Sequence, residues 1–96
     1  MAQHVTITTD AQITLKPLIE SALRSELRML ELSLQRTIQR LRAFETQYGL
    51  TSDEFERRFN SGEIEESLDF IEWAGEIKTH RLLDAHRQAL QGVQLT

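Results

Sequence analysis

Four potential metal ligands recur at intervals of four residues near the C-terminus: Glu72, Glu76, His80 and Asp84. On a helix, this spacing would place carboxylates and an imidazole on one side, where they could bind a divalent metal ion. Helical di-metal sites, however, combine Glu-x-x-His motifs with further carboxylates from facing helices. The residues three positions before His80 and His86 are Ile77 and Leu83. We therefore predict no metal site and no cofactor, and keep a metal-binding helical protein as an alternative.

The sequence contains none of the common catalytic motifs. It has no cysteine, no G-x-S-x-G nucleophile motif, no glycine-rich phosphate loop and no H-E-x-x-H motif. The lack of cysteine also excludes disulfides and thiolate metal sites. We therefore predict that the protein is not an enzyme and has no catalytic residues.

Charged residues are distributed unevenly along the chain, whose formal net charge is −4. Residues 51–76 contain nine acidic and two basic residues, a formal charge of −7, whereas the remainder carries +3. The acidic segment is either a solvated surface or a docking surface for a basic partner, because uneven charge steers association. The arginines of residues 24–42 are interspersed with acids and lack an aromatic stacking platform, so we predict no nucleic-acid binding.

No apolar run approaches the ~20 residues that a membrane-spanning helix requires. The first ten residues also lack the charged and apolar regions of a signal peptide. We therefore predict a soluble, cytoplasmic protein without a membrane partner.

A long helix, which we predict over residues 16–48, organises the chain. Pro17 is suited to its first turn, and neither glycine nor proline follows until Gly49. At ~1.5 Å per residue it would be ~48 Å long, too long to be enclosed in a small sphere. Apolar residues at heptad-like spacing indicate one buried face: Leu23, Leu27, Leu30, Leu34, Leu41, Phe44 and Tyr48.

A second apolar face occurs only in the N-terminal half of this helix: Leu18, Ala22, Met29 and Leu32. A helix that is apolar on two faces must be covered twice, because soluble monomers rarely expose such a patch. We predict that this face binds another subunit or a partner protein. Cover by the N-terminal segment of the same chain remains the alternative.

The N-terminal segment, residues 1–15, alternates apolar and polar side chains over residues 4–15. This period of two predicts one β-strand, or two short strands that turn at Asp10–Ala11. We expect such a segment to pair with the same segment of another chain or to lie along the helix, since an isolated hairpin is marginal in water. A frayed arm is the alternative.

Two further helices are predicted after Gly49. The first, over 52–60, is indicated by Thr51 and Glu54, which have the spacing of a capping box. The second, over 67–91, has Ser67 as a favourable N-cap.

An antiparallel return of the last helix would gather eight residues into a core at the elbow: Leu41, Phe44, Tyr48, Phe55, Phe59, Phe70, Trp73 and Ile77. The predicted fold is therefore mainly α, with a single domain over residues 1–96. It is a long, coiled-coil-like antiparallel helical hairpin with a short helix at the elbow and a short N-terminal β segment.

The elbow carries a recognisable pattern over residues 44–73. It consists of Tyr48-Gly49, Thr51-Ser52-Asp53-Glu54-Phe55, Phe59, Gly62-Glu63 and Asp69-Phe70-Ile71-Glu72-Trp73. The pattern resembles that of small, poorly characterised bacterial and archaeal helical proteins, some of which look like the antitoxin member of a two-gene pair. Leu50 stands where that pattern tends to have methionine, and Glu65-Glu66-Ser67 where it tends to have aspartates. The resemblance implies a partner-binding helical protein and brings no catalytic residues.

We therefore expect a non-enzymatic protein–protein interaction module that forms a homodimer or higher oligomer. Antitoxin-like binding of a cognate protein is the function that the resemblance implies. A purely structural, homo-oligomeric coiled-coil protein is the alternative.

Overall fold

The computed structural model describes residues 3–6 and 15–95. Its elements in chain order are β1 (Gln3–Val5), α1 (Leu15–Tyr48), α2 (Ser52–Asn60), α3 (Leu68–Gln91) and β2 (Val93–Leu95). The long helix α1 packs along α3 as a hairpin, α2 lies at the elbow, and the molecule measures 59 × 22 × 18 Å. The predicted mainly α, hairpin fold is confirmed.

The bounds of α1 follow from local signals in the chain. Pro17 lies in its first turn, where the missing N–H costs no hydrogen bond. The helix ends at Gly49, which has a φ of 67° and whose N–H donates to the carbonyl of Glu45 at 2.9 Å. Glycine adopts this left-handed conformation without the steric cost that a Cβ brings. The 34 residues of α1 give a helix ~51 Å long.

The inward face of α1 alternates steps of four and three residues, which is the spacing of a coiled-coil seam. Leu30, Leu34 and Thr37 are the buried residues of this helix. Thr37 occupies the step between Leu34 and Leu41, and its hydroxyl donates to the carbonyl of Ser33 at 3.0 Å. The predicted buried face contained only apolar residues and therefore omitted Thr37, although the spacing of three and four residues passes through this position.

Side-chain caps start both helices that follow. The Thr51 hydroxyl accepts the N–H of Glu54, and the Ser67 hydroxyl accepts the N–H of Phe70, each at 3.1 Å. Only half of the predicted capping box is formed, because the Glu54 carboxylate binds Arg57 instead of returning to the N-cap. These caps position α2 and α3 against the end of α1.

The two short strands pair with each other at the open end of the hairpin. β1 pairs in parallel with β2, and Gln3, His4 and Val5 lie opposite Val93, Gln94 and Leu95. The described part of the N-terminal segment thus has a strand partner within its own chain, which the sequence prediction did not include. Parallel strands need a long crossover, and here the whole helical hairpin lies between them. The predicted turn at Asp10–Ala11 lies outside the described residues.

A Gly75→Ala substitution is expected to raise the free energy of unfolding by up to ~1 kcal/mol, because alanine is the better helix former. Gly75 is exposed within α3, and a Cβ at this position would meet no atom within 4 Å. Urea unfolding followed by the fluorescence of Trp73, the only tryptophan, measures the change.

Gly49→Ala is the matched control. A Cβ at Gly49 also has free space. Alanine should nevertheless lower the free energy of unfolding by ~1 kcal/mol, because the positive φ at this position is strained for a residue with a Cβ. A destabilised Gly75→Ala protein would contradict the open environment of Gly75.

Candidate interaction surface

The elbow is held by a core around Trp73 and Phe55, both of which are completely buried. Their rings stack at a centroid distance of 3.9 Å. The ring of Phe44 also stacks with that of Trp73, at a centroid distance of 5.5 Å. The indole N–H of Trp73 donates to the Ser52 hydroxyl at 3.0 Å, which satisfies its only polar group. The elbow therefore has one specific packing arrangement.

All eight residues expected at the elbow lie in this cluster: Leu41, Phe44, Tyr48, Phe55, Phe59, Phe70, Trp73 and Ile77. Leu50, Ile64 and Ala74 also pack against it. The chain between α1 and α3 thus contributes to the core that fixes the angle of the hairpin.

A hydrogen bond from Tyr48 to Asp69 joins the last residue of α1 to the first turn of α3. This bond is the largest cause of a raised pKa of Tyr48, and burial and the negative charge of Asp69 add to it. The bond is lost when the phenol ionises. It therefore stabilises the fold below the ordinary tyrosine pKa, and this contribution falls as pH rises through the raised value.

Ion pairs orient the elements around the core. Arg81 of α3 binds the carboxylate of Glu56 in α2 and lowers the pKa of that carboxyl. Arg40 of α1 donates to Glu76 of α3 at 3.1 Å. Such surface pairs contribute little energy each, but they favour one mutual orientation of the helices.

Glu54 forms a second ion-pair group within α2. Hydrogen bonds from Arg57 and Arg58 lower the pKa of Glu54 to about 2. The contribution of this group to stability is present above the ordinary carboxyl pKa and is lost as pH falls towards about 2. It therefore stabilises α2 through the neutral range.

The four residues with metal-ligand spacing do not form a ligand set. Glu76 binds Arg40, Asp84 binds Arg87 at 2.6 Å, and Glu72 is exposed. Within residues 3–6 and 15–95, no group of three or more histidine or acidic side chains could hold a metal ion.

The open half of the hairpin is packed less completely than the elbow. After Ile77, the half-buried positions of α3 include the polar residues His80, Asp84 and Arg87 as well as Leu83 and Leu90. Leu23 and Leu27 on the inward face of α1 are only half-buried. A groove of about 300 Å³ lies between the helices and is lined by Glu26, Leu30, His86, Ala89 and Leu90. The hairpin is therefore anchored at its elbow.

The predicted partner-binding face of α1 is exposed. The exposed fractions of Leu18, Met29 and Leu32 are 63%, 64% and 50%, and Ala22 is exposed as well. We call these four residues the outward stripe. It lies about 130° around the helix from the buried lane, so α3 cannot cover both. Among the described residues, β1 pairs with β2 and leaves the stripe uncovered.

A second apolar patch, which the sequence reasoning missed, lies at the start of α3. Leu68 is 88% exposed and Ile71 is 52% exposed, one helical turn apart. Glu65, Glu66 and Glu72 are exposed beside them in the chain. We call Leu68 and Ile71 with these three glutamates the elbow patch. The i,i+3 spacing of two aliphatic residues outside the core lane was the available signal.

Comparisons with protein-family models, with curated proteins and with solved structures find no match for this chain. None of the helices in the described ranges is long and apolar enough to span a membrane. The two exposed apolar surfaces, the outward stripe and the elbow patch, are therefore the candidate interaction sites.

The pKa of Tyr48 is expected to lie above its ordinary value of 10.0 in the folded protein. Tyr48 is the only tyrosine, so ultraviolet absorbance during an alkaline titration reports its ionisation alone. Asp69→Asn should lower this pKa, because it removes both the carboxylate acceptor and its negative charge.

Asp53→Asn is the matched control, since it removes an exposed elbow carboxylate that does not bind Tyr48. Circular dichroism identifies the pH range in which the protein stays folded. An unchanged pKa in the folded Asp69→Asn protein would contradict the assigned cause.

Proposed function

We propose that this protein is a cytoplasmic, non-enzymatic interaction module that self-associates through the outward stripe of α1. The observation that carries this proposal is the exposure of Leu18, Met29 and Leu32 on one side of a regular helix. Removing such apolar side chains from water is worth about 25 cal/mol for each Å² buried. Covering the stripe with a helical partner therefore stabilises the assembly and requires no change in the hairpin.

The distribution of charged contacts supports this proposal. The acidic residues nearest the helix contacts are engaged in bonds that hold the hairpin together: Asp69 with Tyr48, Glu76 with Arg40, and Glu56 with Arg81. Their role in the described structure is to orient helices. The outward stripe lies apart from these pairs, so a partner can bind there without breaking them.

Met29→Glu should convert the assembly to a monomer, because it places a charge within the apolar stripe. The exposed position of Met29 means that the hairpin itself should keep its helicity. Light scattering at micromolar concentration measures the mass, and circular dichroism measures the helicity.

Gln35→Glu is the matched control, because it introduces the same charge at an exposed position of α1 outside the stripe. It should leave the oligomeric mass unchanged. A monomeric wild-type protein, or an unchanged mass in Met29→Glu, would contradict self-association through this face.

Antitoxin-like binding of a cognate protein is a second candidate function, and the elbow patch favours it. Leu68 and Ile71 could fill apolar pockets, while Glu65, Glu66 and Glu72 suit a basic rim on the partner. The resemblance to partly antitoxin-like proteins covers residues 44–73, the part of the chain that contains most of this patch. Self-association and partner binding would then use different faces.

The protein encoded by the neighbouring gene is the candidate partner to test. We expect it to co-purify with the wild type and with Met29→Glu. It should be lost with Ile71→Glu, because this substitution places a charge in the partner's apolar pocket. Retention by Ile71→Glu, or the absence of a co-purifying neighbour, would contradict this second function.

A further inference from the structure

We propose that the outward stripe is covered by α1 of a second copy of this chain running antiparallel, with the two-fold axis between Leu23 and Arg24. This inference rests on the proposed self-association and adds the orientation and register of the two helices. It follows from the order of large, small and charged residues along the exposed face of α1.

The outward stripe has the spacing of a coiled-coil seam. Starting at Leu15, steps of three and four residues pass through Leu18, Ala22, Ser25, Met29, Leu32 and Arg36. Two helices that meet along such a seam supercoil around each other and interdigitate their side chains. Large residues lie at both ends of the apolar part, and Ala22 and Ser25 lie in its middle, where two backbones can approach closely.

A parallel dimer is disfavoured by Arg36. In a parallel, in-register seam each residue meets its own copy, so the two Arg36 side chains would lie against each other directly after Leu32. Arg36 is exposed and has no ion pair within the described part of the chain. No acidic side chain is therefore in place to neutralise this repulsion.

An antiparallel dimer with its axis at Leu27 is disfavoured by the residues that flank the seam. In that register each Glu26 lies opposite the partner's Glu26, and each Arg28 opposite the partner's Arg28. Like charges at flanking positions are a common device by which coiled coils exclude a register.

The register with its axis between Leu23 and Arg24 avoids all of these contacts. Leu18 meets the partner's Met29, and Ala22 meets the partner's Ser25. Glu26 then lies opposite the partner's Ile19, and Arg28 lies opposite the partner's Ser21, so no like charges face each other. The register also places Leu32 against the partner's Leu15, which extends the apolar contact to the first residue of α1.

Pulsed dipolar spectroscopy with single nitroxide labels tests this arrangement directly, because the chain has no native cysteine to label. The label is placed at Gln39→Cys, an exposed position beyond the apolar part of the stripe. The proposed register separates the two labels by ~46 Å along the helix axes. A parallel dimer brings them within ~25 Å, and the antiparallel register centred on Leu27 separates them by ~36 Å.

Arg24→Cys is the matched control, since this exposed residue lies beside the proposed axis. Its labels should lie within ~25 Å of each other in any dimer formed by the N-terminal half of α1. Both labelled proteins are measured where light scattering gives the mass of a dimer.

The outcomes separate the two proposals. A dimer with a short Gln39 distance, or one near ~36 Å, overturns the orientation or the register but leaves self-association standing. A dimer with a long Arg24 distance overturns the α1–α1 contact. A monomeric mass without intermolecular dipolar coupling overturns both the inference and the proposed function.

Discussion

A 34-residue helix with apolar side chains on two separate faces cannot bury both against a single neighbouring helix. α3 covers the inward face of α1, from Leu30 through Thr37 to the elbow, and the residues on the other face stay exposed. The proposed self-association depends on this constraint. The inward lane explains why the chain folds as a hairpin, and the outward stripe explains why a hairpin alone leaves apolar surface in water.

The hairpin is stabilised unevenly along its length. Its elbow combines the buried Trp73–Phe55 stack with caps at the start of α2 and α3 and the Tyr48–Asp69 bond. Its open half has polar groups on the inward side of α3, and a short parallel strand pair joins the chain ends there. This division suits an interaction module, because the angle of the two helices is set at one end while an exposed face is presented at the other.

Features with local signals could be predicted from the sequence. Pro17, Gly49, Thr51 and Ser67 mark helix ends because their effect on the backbone requires only nearby residues. The aromatic elbow was also accessible, since the spacing of Phe70 and Trp73 defines one helix face. The β1–β2 pairing was not, because its two segments are three residues long and are separated by the whole hairpin. The polar inward positions of α3 were likewise hidden, because a half-buried Asp84–Arg87 pair gives no apolar period.

The methyl group of Met29 reports directly on whether the outward stripe is covered in the assembled protein. Met1 and Met29 are the only methionines, so a methyl-labelled sample gives two signals that a Met29→Leu variant assigns. Relaxation of the Met29 signal by a soluble paramagnetic agent should weaken as the protein concentration rises and a second copy covers the stripe. Equally strong relaxation at every concentration would show that the stripe stays in water, and would contradict the account.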